Sequence, residues 1–507
     1  MTANNTLIHI PEPLLLFRHG QATEDPRDGL TLFGPLDQGK PYGVKAAVIG
    51  TKSGIELFNR WVEWVQKPVF IQPPPANRPP FPGFQTVFQT AWNSKPVLTI
   101  EVGDDEIDQH LYLDDRPQRV YGTVTVFANR ILRALREEES KPDLWFVVLP
   151  DRIYKYCRPE SVVEPEIRLK ARVQFKKASQ ARTFFETRSL FSDIDEAIPA
   201  YFYEQQFHNQ LKARLLKDMV LTQVVLESTL ANVRRLGEEG VTESDFRRQS
   251  EIAWNLSTGI FYKVGGRPWK VASIREGVCY VGLVFKKDQT EGNLRNACCA
   301  AQMFLDSGDG VVFKGAVGPW YNEETGDYHL TRTAARELGQ LVIQAYKDKF
   351  DGELPREIFI HGRVRFERNE WAGFEEAAAG VKNIVGVRIR DEFNLKLYRK
   401  GQNPILRGLA RMRGERSAHL WTKGWTPRIQ TYVGRGVPNP LIIEISKGEA
   451  SLEVVLQDIL TLTKLNYNTC IFADGSPITL KFADAVGEIL TAGPIKDVPP
   501  LPFSHYI

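Results

Sequence analysis

VCYVGLVFKK (278–287), ACCAAQMFLD (297–306) and VVFKGAV (311–317) are three short apolar runs, the last two separated by a glycine-bearing turn at Ser307 to Gly310. Runs of this length, bounded by polar or glycine-containing connections, predict strands, and such short connections join neighbours in an antiparallel meander. Downstream, TRTAARELGQLVIQAYKDKF (331–350) places its apolar residues at helical spacing, and EIFIHG (357–362) reads as a buried strand. EWAGFEEAA (370–378) is then a second helix and NIVGVRI (383–389) a further strand.

Three antiparallel strands followed by helix, strand, helix and strand is the order of a ribonuclease-H-like sheet. ASLEVVLQDILTLTKLNY (450–467) and ITLKFADAVGEIL (478–490) supply two closing helices. The first half has a different rhythm. KAAVIG (45–50) is a strand, SGIELFNRWVEWV (53–65) a helix, VTVFANRILRALREEE (124–139) a helix and LWFVVLP (144–150) a buried strand. Alternation of this kind predicts a parallel, doubly wound, Rossmann-like sheet. The expected class is therefore α/β with two domains, 1–266 and 267–507, divided at the Gly265-Gly266 pair.

Composition narrows the function classes without choosing one. A chain of 507 residues that is 42% hydrophobic and 25% charged can bury two or three cores, which excludes a disordered class. No apolar run approaches the roughly 18 to 20 residues of a membrane span, and the start MTANNTLIHIPEPLLLF lacks a basic n-region, so a cytoplasmic address without a membrane is expected. Five cysteines without a Cys-x-x-Cys argue against a disulfide framework or zinc ribbon and read as reduced structural thiols, with the adjacent Cys298 and Cys299 on two faces of a strand. With a net charge of only +3, any nucleic-acid contact must come from local basic stretches. Proline clusters at 71–84 and 497–503 read as ordered connections.

One stretch carries candidate anion ligands. In a helix expected from about Ala200 to Leu216, His208 and Lys212 are four residues apart and share a face. Gln223 opens the next strand with an amide donor. A further helix, capped near Thr242 and Asp245, ends at Lys263 before Val264-Gly265-Gly266. Singly, each has an ordinary alternative: a solvated helix face, a satisfied strand-end amide, a lysine placed by the helix dipole. Together, HNQLKARLLKDMVLTQVVLEST (208–229) and WNLSTGIFYKVGGRPWK (254–270) resemble the 5′-phosphate pocket of Argonaute MID domains. In that family a Tyr or His, a Lys four residues further on, a Gln about ten residues later and a Lys before a hydrophobic-Gly-Gly-x-Pro-Trp element hold the guide. His208, Lys212, Gln223 and Lys263 match in order and spacing. The chain departs at Gly259, where many members place a Lys or Gln. The resemblance then implies that the Ile507 carboxylate, with Mg²⁺, meets the remaining charge, although a merely docked FSHYI end is the alternative.

EDPRDGLTLFGPLD (24–37), VPNPLIIEI and SPITLKFADAVGEIL extend the resemblance across the chain, with no room for the N-terminal and PAZ domains of long Argonautes. IYKYCRP, FHNQLKARLL, NACCAAQMFLD and GDGVVFKGAVGPWYN look most like short Argonautes paired with a TIR-APAZ protein, the SPARTA type. That likeness implies a defence role. It further implies that a guide RNA pairs with single-stranded DNA, that a TIR-APAZ partner forms a heterodimer with this chain and hydrolyses NAD(P)⁺, and that target binding drives higher assembly.

Cutting is not expected. Ribonuclease-H-like cleavage needs several carboxylates around two metal ions about 4 Å apart. The opening strand offers Gly282, Leu283 and Val284, and the strand after the first long helix ends at Gly362 and Arg363. Asp484 stands alone where the last ligand belongs; Asp306 and Asp309 read as turn residues. A stand-alone nuclease using Asp484 and Glu367 is the alternative. Arg214, Arg267, Lys270, Arg363, Arg365 and Arg407 are candidate backbone contacts or ordinary surface cations.

Overall fold

The computed structural model describes residues 6–70, 79–176, 178–187, 192–231, 243–287, 297–304, 310–318, 320–321, 326–432, 434, 436–494 and 501–507. In the first half, four parallel strands lie in the order Leu98–Glu101, Ala46–Gly50, Leu144–Leu149, Thr222–Leu226. The Leu144–Leu149 strand is buried at all six residues, as a parallel strand covered on both faces must be. Phe146 and Val148 enter one apolar core and Trp145 and Val147 another, so alternate side chains seal the two faces. The Lys52–Val65 helix starts where Thr51 accepts the Gly54 N–H. The Arg116–Glu137 helix begins earlier than its apolar run suggests, because Asp115 caps it and Pro117 fits its first turn.

The second half is built on a ten-stranded sheet. Its order is Leu7–His9, Leu409–Met412, Ser417–Leu420, Leu441–Lys447, Asn383–Asp391, Glu357–Gly362, Val278–Lys287, Ala297–Phe304, Gly310–Gly318, Leu501–Pro502. The meander is antiparallel as expected, and Glu357–Gly362 runs parallel to both its neighbours. Helices Arg332–Lys349 and Arg368–Ala377 cover one face through Leu338, Val342, Trp371 and Phe374. The Ile478–Leu490 helix covers the other, its residues packed with Tyr280 and Val284. Among the described residues no helix is long and apolar enough to cross a membrane.

Two details differ from the sequence reading, and the helix end before Gly265 agrees with it. The 200–216 helix starts only at Phe207: Ile198–Phe202 forms a 3-10 turn opened by Pro199, and Tyr203 is extended. The N-terminal strand Leu7–His9 pairs with Leu409–Met412, far along the chain. At Gly265-Gly266 the Glu243–Lys263 helix stops, with Gly265 at φ +93° and the Gly266 N–H returned to the Phe261 carbonyl. Packing continues across this pair: one apolar core joins Val48 and Trp61 to Val455 and Ile459.

Cys157, Cys279 and Cys470 are free and buried, and burial pushes the thiols of Cys157 and Cys470 up to about 12. The side chains of Cys298 and Cys299, the Asp306–Asp309 turn, the Thr242 cap and prolines 73–75 lie outside the described residues.

Gly282 is the tightest point between sheet and closing helix, since a Cβ there would sit 1.8 Å from the Thr479 carbonyl oxygen. Gly282→Ala should therefore cost about 1–3 kcal/mol, the usual range for overpacking, and lower the urea midpoint. An unchanged midpoint would mean that the helix can move away freely.

Candidate anion pocket and a filled carboxylate site

The helix Phe207–Leu215 aims Lys212 inward, and the last turn of Glu243–Lys263 does the same for Lys263; they are only 2% and 3% exposed. Their ammonium groups converge on the carbonyl oxygen of Thr222, at 3.3 and 3.1 Å. Lys212 also donates to the Thr222 hydroxyl at 3.3 Å and to the Ile507 oxygen at 2.5 Å. Lys263 donates to Gln223 Oε1 at 2.7 Å. Lys212, Gln223, Lys263 and Ile507 thus form one hydrogen-bonded group, and His208 stands one turn from Lys212 on the same helix.

Buried ammonium groups are costly without an anion. Burial pushes Lys212 down to about 7, and burial with the charge of Lys212 drives Lys263 well below its ordinary value. Burial, then Lys212, also takes His208 down to about 4, and the same two causes take His505 to about 4. The pocket is rich in donors, and the terminal carboxylate of Ile507 is the anion that meets Lys212. A further anion entering it would favour the charged form of both lysines.

Gln223 departs from the expected role. Its oxygen accepts from Lys263 while its amide nitrogen donates to the Val224 carbonyl at 3.2 Å. A side chain at Gly259 would grow toward Asn468, whose oxygens lie 3.6 Å from a Cβ built there. His505 was missed, although it sits inside the quoted FSHYI. The Thr222 carbonyl was also missed, because main-chain oxygens leave no trace in residue identity.

The expected Mg²⁺ has no ready-made ligand set. The Ile507, Thr222 and Gln223 oxygens each already take an ammonium hydrogen bond, and among the described residues no group of three or more His, Cys, Asp or Glu can hold a metal. Such an ion fits only with oxygens brought by a bound phosphate. Beside the pocket, a cavity of about 440 Å³ is lined by Tyr154, Arg158, Phe207, His208, Val224 and Leu256, with Arg158 over the Tyr154 ring at 5.4 Å.

The second locus lies on the central strands of the ten-stranded sheet, Val278–Lys287 and Glu357–Gly362. Gly282 and Val284 face the Ile478–Leu490 helix, with Val284 only 4% exposed. Asp484 on that helix is held by Arg363 Nη2 at 2.6 Å and by Lys286 Nζ at 3.5 Å. Arg363 also reaches Asp391 at 3.9 Å, an acid at a strand end that sequence reasoning passed over. Two tethered cations thus sit around the remaining carboxylate. Glu367 is elsewhere: it caps Arg368–Ala377 and faces His329 at 3.6 Å, on the opposite face of the sheet. Asp484 and Glu367 do not make one site.

Several candidate backbone contacts are structural braces. Arg407 is 5% exposed and bonded to Glu12, Thr422 and Thr463. Arg267 is forked onto Asp37 at 2.8–3.1 Å. Arg214 donates to Thr125 and lies over the Tyr121 ring. Lys270 lies in a short strand paired with Leu16, and Arg365 pairs with Glu444 at 2.7 Å.

No protein-family model matches the chain. Over 298 residues it is 24% identical to a protein argonaute of Aquifex aeolicus, covering 56% of this chain and 36% of that relative. The structure of Clostridium butyricum Argonaute bound to a guide DNA and a 19-mer target DNA superposes with a TM-score of 0.62 at 15% identity, over 98% of this chain and 54% of that one. Drosophila Piwi gives 0.57 at 12% identity, over 98% and 56%. The fold is that of an Argonaute. This chain spans about a third of the length of the curated Argonaute and just over half of the solved ones.

Because Lys212 is depressed in the folded, empty state, that state binds fewer protons than the unfolded chain between about pH 7 and 10.5. The contribution of Lys212 to stability should therefore improve as pH rises through this window. The difference in unfolding free energy between Lys212→Met and the natural chain, measured by urea titration, should be largest below pH 7 in favour of the variant and shrink toward pH 10. A pH-independent difference would contradict the burial of an ionisable ammonium.

Proposed function

We propose that this chain is the guide-holding subunit of a prokaryotic defence system, and that it anchors a guide by its 5′ phosphate without cutting the paired target. The observation that carries the proposal is the convergence of two buried ammonium groups on the Thr222 carbonyl, with His208, Gln223 and the Ile507 oxygen around them. A terminal phosphate would accept charge-assisted bonds from Lys212 and Lys263, roughly twice as strong as neutral ones. Mg²⁺ would join only as a companion of that phosphate, with Ile507 as the residue that would help to hold it, and would supply positive charge against the phosphate. The cavity lined by Tyr154 and Arg158 gives the terminal base a place to lie.

Residues 1–266 would then hold the guide end, and 267–507 would support the duplex while base pairing reads the target. Clostridium butyricum Argonaute is described with guide and target DNA, and an Aquifex aeolicus Argonaute with an externally bound siRNA, which supports nucleic acid as the ligand class. The finer reading rests on the sequence resemblance: an RNA guide, a single-stranded DNA target, a cytoplasmic heterodimer with a TIR-APAZ partner that hydrolyses NAD(P)⁺, and higher assembly after target binding. Loss of cutting is supported by Arg363 and Lys286 on Asp484, because tethered cations repel the divalent ions that two-metal hydrolysis requires.

Lys212→Glu with Lys263→Glu should weaken a 5′-phosphorylated guide at least roughly 100-fold, by losing two charge-assisted contacts, and bring it level with a 5′-hydroxyl guide. Lys212→Met with Lys263→Met, which removes buried charge without adding any, should show the same levelling in a stably folded chain. A preserved phosphate preference in the Met pair would remove the site assignment. With labelled complementary DNA and Mg²⁺ or Mn²⁺, the chain alone should leave the target intact; guide-dependent products would favour the nuclease alternative.

A further inference from the structure

The ten-stranded sheet has a face whose chemistry the pocket does not explain, with Arg390 and Arg413 exposed on it and His419 buried. Strand register places Arg390 opposite Ile442, Ile442 opposite His419, and His419 opposite Arg411, so these four project from the same side. In the next row Arg388 faces Glu444, Glu444 faces Ser417, and the Arg413 N–H bonds the Ser417 carbonyl. The intervening residues Val387, Ile389, Ala410, Ala418, Ile443 and Ile445 enter the apolar core on the opposite side. Period-two alternation therefore turns two arginine pairs to the same side, Arg388 with Arg390 and Arg411 with Arg413, about 6.8 Å apart within each pair and about 14 Å, or three strand spacings, from one pair to the other.

Arg365 adds a fifth guanidinium through its ion pair with Glu444, which Arg388 also approaches at 3.5 Å. Glu444 is thus shared, while Arg390 and Arg413 have no carboxylate partner among the described residues. Like-charge crowding is felt within the patch. After burial, Arg390 and Arg365 help to lower Arg388, and Arg413 and Arg411 help to lower His419, whose Nδ1 is buried without a partner. Like charges gathered on one face repel one another unless something neutralises them.

The strand that carries Arg388 and Arg390 runs at Asp391 into a loop. It carries Lys396, Arg399 and Lys400, with Phe393 66% exposed and Tyr398 74% exposed. Basic side chains with interleaved, solvent-facing aromatic rings match the general design of surfaces that hold an unpaired strand: charges track phosphates while bases stack on rings. An acidic protein would use the guanidinium groups but would not require the two exposed rings.

We infer that this outward sheet face and the 392–400 loop form a second nucleic-acid site, which takes a single-stranded segment through its phosphodiester backbone and stacked bases. The site stands apart from the 5′-phosphate pocket and needs no terminal phosphate. An unpaired flank of a bound strand would be held there.

The test uses the full chain and a mixed-sequence 20-nucleotide DNA, in 5′-hydroxyl and 5′-phosphate forms, followed by fluorescence anisotropy across a salt series. Arg390→Glu with Arg413→Glu should weaken both strands by the same factor, at least roughly tenfold at low salt, and flatten the salt dependence by about 1.4 log units per log unit, since each single-strand phosphate contact contributes about 0.7. Tyr398→Ala should weaken both roughly fivefold or more and leave the salt slope unchanged. All three positions lie on the surface, and matching thermal melts would establish retained folding. Unchanged affinity and slope in the arginine pair overturn the site. So does displacement of the strand by polyglutamate of equal charge as effectively as by unlabelled DNA, with Tyr398→Ala silent, because that pattern marks a docking face for an acidic protein. Failure of the pocket assignment would instead abolish the difference between the two strand forms and leave these effects standing.

Discussion

The placement of two ammonium groups against one main-chain oxygen constrains much of this molecule. Lys212 arrives on one helix, Lys263 on another, and the Thr222 carbonyl on the last strand of the parallel sheet. To bring them together, the Phe207–Leu215 helix must pack beside the strand that follows it, and the Glu243–Lys263 helix must stop at Gly265. The terminal 3-10 turn Phe503–His505, fastened by Phe503 stacked on Phe482, brings the Ile507 oxygen to Lys212. Elements far apart in the chain are thus oriented around a charge that none of them fully neutralises.

A second buried charge group holds the frame on which that pocket rests. Glu12 bridges Arg407 and Lys464, both almost fully buried, and Lys464 also reaches the Glu24 carbonyl. Arg407 and Lys464 hold the Glu12 carboxylate below its ordinary value despite the opposing effect of burial. Removing either partner would leave a buried charge exposed to its own desolvation cost. The N-terminal segment is thereby fixed to the C-terminal half, consistent with the strand Leu7–His9 at the edge of the larger sheet.

What the sequence discloses depends on whether the deciding interaction is periodic. The meander, the Glu357–Gly362 strand and the buried Leu144–Leu149 run were legible because burial imposes alternation or continuity on residue type. His208, Lys212, Gln223 and Lys263 were legible as a spaced set only through their resemblance to a known pocket. Spacing did not disclose that Gln223 presents its oxygen to Lys263, or that Arg407, a surface cation by composition, is enclosed. The outward arginines are the reverse case. RIR and RMR alternate plainly at 388–390 and 411–413, but only cross-strand register shows that they share a face.

The ion pair of Arg363 with Asp484, reinforced by Lys286, also bears on how this sheet can change over time. An acid introduced at Val284 alone would enter a place already furnished with covalently attached cations, which have no translational entropy to lose on pairing with it. A free divalent ion would have to compete with them. A single acid gained in this corner is therefore absorbed as a new salt bridge, and seating a divalent ion there would take several acids together with the loss of Arg363. The arrangement behaves as a ratchet: the cations that keep the corner electrically quiet also resist any one-step change in its charge.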